Sequence, residues 1–143
     1  MVEATSTQQV VVPRAHLAIA DSLARLSGAA TARDRARHLR LAGTVALSAD
    51  RLAVARAYFA EAVTAADALQ PVDEGERGLA LVFQGFIESL SDAVRGDAMR
   101  AEAARRMEEK LGFSDERTLL VIGRSVASLR DPARLPDADA RFE

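Results

Sequence analysis

The sequence predicts an all-α fold of about six antiparallel helices joined by short loops. Three observations predict it. Apolar residues recur at three- and four-residue spacing along nearly the whole chain. No segment shows the strict alternation of a half-buried strand. The apolar content is largely alanine, with five Phe, one Tyr and no Trp, and alanine is the residue that costs least in a helix and lets helices approach closely. At 143 residues, the chain fits one domain able to bury roughly 70% of its unfolded surface.

Residues 1–12 read as a flexible N-terminal arm. Pro13 suits the first turn of helix one, where its missing N–H is no loss. That helix runs to about Ser27 with a stripe of Ile19, Leu23 and Leu26, flanked by Ala20 and Ala24, and ends at Gly28. Thr31 and Asp34 form a variant capping box. Helix two follows to about Leu47 and turns Ala36, Leu39, Ala42, Gly43 and Ala46 inward. Asp50 is the expected N-cap of helix three. One face of that helix carries Leu52, Ala55, Phe59, Ala62, Ala66 and Leu69. Pro71 stops it, because the residue before a proline avoids the helical region.

Asp73, Glu74 and Glu76 place negative charge at the positive end of helix four. This helix, about 74–94, is the most apolar, with Leu79, Val82, Phe83, Phe86, Ile87 and Leu90. Gly96 is expected to end it and Asp97 to cap helix five, about 98–111, with Ala101, Ala104, Met107 and Leu111 inward. Gly112 reads as a left-handed C-cap. Ser114 then caps helix six, which carries Leu119, Ile122, Val126 and Leu129. Pro132 and Pro136 forbid its continuation. Residues 13–130 therefore form a single helical domain, and 131–143 a polar, flexible tail.

Within this plan the stretch 36–69 carries the most information. Ala42, Gly43, Ala46, Ala55 and Ala62 fall where two helices would touch, and Phe59 falls between the last two. This hairpin resembles a tetratricopeptide repeat, a family of two antiparallel helices in about 34 residues with small and large residues at set places. Leu39 stands at a large first-helix position, Ala42 and Gly43 at the close-contact pair, and Ala55, Phe59 and Ala62 match the small–aromatic–small series of the second helix. Ala46 departs from the family, which expects a large residue there, and the terminal proline comes late, as Pro71. Helices four and five form a second, degenerate hairpin, with Gly85 and Ala104 in roughly analogous places. The resemblance implies hairpins stacked in a short right-handed array or bundle that binds a partner's peptide or helix.

Composition narrows the function classes. A net charge of −2 supplies no basic excess, so nucleic acid is not expected. The absence of cysteine excludes disulfides, thiol catalysis and thiolate metal sites. No apolar run approaches the roughly 18 residues of a membrane span, and the start lacks the cationic region of a secretory leader. A cytoplasmic protein is expected, and the Ala- and Arg-rich, Lys-poor usage points to a bacterial one. No Gly-rich phosphate loop, zinc-protease helix or nucleophile elbow is present. The expectation is a protein without cofactor, metal or catalytic residues, and an interaction module rather than an enzyme.

The charge pattern supplies the candidate residues. Arg33, Arg37 and Arg40 share one face of helix two by spacing, with Arg35 and His38 beside them. In the resemblance Arg37, Arg40 and Thr44 lie on the groove-lining helix. Arginine suits a peptide carboxylate because its fork binds both oxygens. The partner surface is therefore assigned to Arg33, Arg37, Arg40 and Thr44, and the partner is expected to be acidic. The other reading of these arginines is a solvated face. His16 and His38 read as surface or core-edge residues. Gln84 and Glu88 lie one turn apart and are expected on the wet side of helix four. Phe83, Phe86 and Ile87 around them read first as core and second as a homodimer seam. An alternative function is a bundle binding or acting on a small molecule near Tyr58, Gln84 and Glu88, and another is a self-associating structural subunit.

Overall fold

The computed structural model describes residues 2–127. Six helices follow one another: α1 (Val2–Ala29), α2 (Ala32–Ser48), α3 (Leu52–Asp67), α4 (Glu74–Ser89), α5 (Ala93–Leu111) and α6 (Glu116–Ala127). No strand occurs among the described residues, so the fold is all-α. Each helix packs on the next, and α4 also touches both α2 and α6. The helices α2, α4 and α6 therefore form one row, with α3 packed behind the first gap and α5 behind the second. No described helix is long and apolar enough to cross a membrane.

Two apolar clusters hold the row together. The first joins Ala20, Leu39, Ala46, Ala55, Phe59, Ala62, Ala80 and Ile87 across α1 to α4. The second joins Leu79, Val82, Ala103, Met107 and Val121 across α4 to α6. Phe83 packs against both clusters, and its ring stacks on Phe59 with centroids 5.3 Å apart. Most of these side chains are small, so helix approach matters more here than the burial of any one large residue. Glycine notches make that approach possible. A Cβ on Gly43 would meet the Phe59 ring at 2.7 Å, one on Gly78 would overlap Met107, and one on Gly85 would meet the Gly96 carbonyl oxygen at 2.9 Å.

Helix two agrees with its expected face: Ala36, Leu39, Ala42, Gly43 and Ala46 are all buried. Helix three buries Ala55, Phe59, Ala62 and Ala66 and ends at Asp67, so Leu69, expected on its face, lies beyond it; Leu52 and Leu69 are half-buried. Its expected cap is displaced, however. Asp50 adopts a positive φ of 58°, and Arg51 occupies the N-cap position without a side-chain bond. Asp50 thus serves the turn, a left-handed role that Asp tolerates. At α4 the aspartate does cap, as Asp73 accepts from the Glu76 N–H. Gly112 has a positive φ of 73° and closes α5 with its N–H on the Met107 and Glu108 carbonyls.

Other expected boundaries and faces are corrected by packing. Helix α1 begins at Val2, so residues 2–12 belong to it and Pro13 lies within it. Its exposed residues include Ile19 and Leu26, while Ala20 and Ser27 are buried, because close packing on α2 selects the small face. Helix α4 stops at Ser89 and Asp92 caps α5 through the Arg95 N–H. Gly96 is therefore not a terminator. It lies inside α5, where it presses backbone to backbone against Gly85. The inward face of α5 is Gly96, Arg100, Ala103 and Met107, with Ala101, Ala104 and Leu111 half-buried. In α6, Thr118, Val121 and Ser125 are buried and Leu119 and Leu120 exposed. Leu129 and the expected tail over 131–143 lie outside the described residues.

Candidate functional site

Helix α2 carries the candidate surface because its two faces have different partners. Its buried face meets α3 through Gly43 and Phe59. One turn of the other face meets α4: the Arg40 Nε donates to Glu76 Oε2 at 2.5 Å and its Nη2 to Oε1 at 3.3 Å. Both side chains of this pair are largely buried. Arg40 is thereby committed to the fold, as a buried glutamate requires a compensating cation. Thr44 is committed locally, its hydroxyl donating to the Arg40 carbonyl one turn back.

Arg33, Arg35 and Arg37 are exposed, and among the described residues no carboxylate pairs with any of them. Asp34, the nearest acid in sequence, instead accepts from the Thr31 hydroxyl at 2.9 Å. Thr31 stands at the N-cap position, yet its side chain makes no bond to the helix backbone, so the expected capping box is an Asp–Thr contact. Two hollows flank this end of α2. One, about 540 Å³, is lined by Arg35, by Glu61 and Thr64 of α3, and by Ala68 just past its end. The other, about 560 Å³, lies between Arg33, the Leu69–Asp73 connection and Arg117 of α6. Leu69 borders both.

The other arginines differ. Arg106 holds Glu74 through two bonds of 2.9 Å, and this hydrogen bonding is the main cause that lowers the Glu74 pKa below its ordinary value. Arg117 holds Asp115 through its Nε and Nη2, and these bonds lower the Asp115 pKa likewise. Arg100 is buried and donates to Asp97 at 2.5 Å. Arg77 reaches Asp67 at 2.8 Å.

The residues expected on the helix-four face are spread over different surroundings. Ile87 and Glu88 are buried, Phe83 and Gln84 half-buried, and Phe86 exposed. Phe83 is sandwiched, with Phe59 on one side and the Arg124 guanidinium 4.8 Å from its centroid. Glu88 is not on a wet face, because Arg56 of α3 donates to its carboxylate. Tyr58 lies two residues from Arg56, hence on the opposite side of α3, and its hydroxyl donates to Asp21 of α1. Burial first, and that bond second, raise the Tyr58 pKa. Tyr58 and Glu88 thus face apart and do not form one pocket. No group of three His, Cys, Asp or Glu that could hold a metal occurs among the described residues. His16 and His38 are half-buried, each with a buried Nδ1 that finds no partner.

Three features were missed in the sequence: the commitment of Arg40, the pairing of Arg56 with the buried Glu88, and the cation over Phe83. The first has a signal in retrospect, since Glu76 falls on the same face of α4 as Ala80, Phe83 and Ile87. No family model matches the chain. No curated protein and no solved structure matches it either.

Proposed function

We propose that this protein is a non-enzymatic interaction module, a short tetratricopeptide-like array whose α2 surface binds an acidic segment of a partner protein. One observation carries the reading. Most arginines in the helix seams are matched to carboxylates and Arg124 lies over the Phe83 ring, whereas Arg33, Arg35 and Arg37 on the first turns of α2 have neither kind of partner among the described residues. An unpaired, hydrated guanidinium keeps its capacity for bidentate binding. The row of α2, α4 and α6 supports the array reading, since alternate helices touch as stacked hairpins require. The hollows beside Arg33 and Arg35 offer apolar footing around Leu69 for a side chain next to the bound acid.

The test is fluorescence polarisation with a panel of acidic peptides of varied sequence, with wild type and an Arg33→Ala/Arg37→Ala variant. The reading expects binding that weakens steeply with salt and is lost in the variant, with circular dichroism unchanged. Equal affinity of the folded variant would remove α2 as the site. Arg40→Ala is unsuitable for this purpose, because losing the cation over Glu76 perturbs the fold itself.

A further inference from the structure

Helix α6 is turned against its own apolarity. The residues it buries are Thr118, Val121 and Ser125, and the Thr118 hydroxyl oxygen is fully enclosed without a hydrogen-bond partner. The leucines face outward, with Leu119 54% and Leu120 47% exposed, and Phe113 just ahead of the helix is 58% exposed. Gly123 lies on this outer side, and a Cβ there would meet nothing within 4 Å. Outward leucines beside an open glycine leave room for another helix to come close.

The charges decide which helix. Glu116, Leu120 and Arg124 occupy successive turns of one stripe. Glu116 and Arg124 are about 12 Å apart along the axis, too far to pair within the helix. Among the described residues neither has an ion-pair partner, and the Arg124 guanidinium lies over the Phe83 ring, 4.8 Å from its centroid. The stripe reads acid, apolar, base. Such a pattern is complementary to itself when run antiparallel.

We propose that α6 pairs antiparallel with α6 of a second copy, about a two-fold axis at Leu120, with Glu116 of each protomer on Arg124 of the other. This is an isologous contact, the commonest way for identical chains to associate. One helix pair falls short of the roughly 800 Å² per partner that a stable interface buries, so the dimer is weak and forms as concentration rises. The inference does not depend on the proposed function. Arg117 of α6 borders the hollow beside Arg33, but Glu116, Leu120 and Arg124 do not line it, and a dimer presents two such surfaces to a multivalent partner.

Sedimentation velocity of the full chain over a wide concentration range tests the proposal. Wild type is expected to show a reversible monomer–dimer equilibrium, and Glu116→Arg and Arg124→Glu are each expected to abolish it. An equimolar mixture of these two variants should dimerise again, because each like-charged stripe then meets its opposite. Leu120→Glu removes the axial contact without touching the buried face, so its failure to dimerise, with helicity unchanged, guards against a folding artefact from Arg124→Glu. A wild type that stays monomeric at its highest soluble concentration overturns the proposal. So does a dimer indifferent to the single variants, or a mixture that fails to restore it.

Discussion

In the seam of α4, α5 and α6, Arg100, Arg106 and Arg117 each reach a carboxylate: Asp97, Glu74 and Asp115. On the first turns of α2, Arg33, Arg35 and Arg37 reach none among the described residues. The difference follows from how much water each guanidinium gives up. Glycines of α4 let two seam arginines approach the backbone, as Arg100 packs its stem over Gly85 and Arg117 lays its head over Gly75. A cation brought that close loses hydration and needs an anion to offset the loss. On α2 nothing displaces the water, so no internal partner is required. The comparison separates arginines tied to a carboxylate within the fold from arginines that have no such partner among the described residues.

The comparison can be broken most severely at Gly96. A Cβ there would overlap the Gly85 carbonyl oxygen and the Ser89 nitrogen, which are backbone atoms and cannot rotate away. Gly96→Ala is expected to cost about 3 kcal/mol, the upper end for overpacking, despite the better helix propensity of alanine. Urea denaturation measures it, and an unchanged midpoint would mean that the glycine contact does not set the helix spacing. Next comes Arg40→Ala, which strands the buried Glu76. We expect a loss of about 2–3 kcal/mol, somewhat below the full cost of orphaning a buried charge because both groups keep some solvent contact. Glu76→Gln in the same background should recover part of that loss.

Acid sharpens the contrast more gently. The Glu74 and Asp115 pKa values are lowered in the folded protein by Arg106 and Arg117. Their contribution is therefore present above the ordinary values of 4.5 and 3.8 and fades as pH falls through the lower folded values. Unfolding free energy measured from pH 7 to pH 3 should decline at the acidic end, and Glu74→Gln should flatten that decline. The smallest effect is expected for Arg33→Ala and Arg37→Ala, whose stability should stay within about 0.5 kcal/mol of wild type. A larger loss would show that these arginines are structural after all.

The parts of the fold legible in the sequence are those where a side chain fills a notch. Small and large residues at helical spacing announce the Gly43–Phe59 contact, so the facing sides of α2 and α3 are legible, although the caps at Thr31 and Asp50 are not. The α4–α5 contact is backbone against backbone, and the glycine that makes it carries the same letter as a helix terminator. For that reason the sequence alone marks Gly96 as a stop. The faces of α1 and α6 escaped because hydrophobicity alone assigns Ile19, Leu26 and Leu119 inward, whereas close approach chose Ala20, Ser27, Thr118 and Val121. At the candidate site, the arginines were visible but their division was not. Spacing places Arg33, Arg37 and Arg40 on one face, and only the position of Glu76 in space separates the third from the others.

That division is the central claim, and the side-chain Nε–Hε resonances of arginine report on it directly. An ¹⁵N-edited titration with an acidic peptide selected in the binding panel would follow every arginine at once. The account predicts that the Arg33 and Arg37 signals, which share a face, shift together with peptide concentration while those of Arg40, Arg100, Arg106 and Arg117 stay in place. Shifts confined to the seam arginines, or spread evenly over all of them, would contradict it.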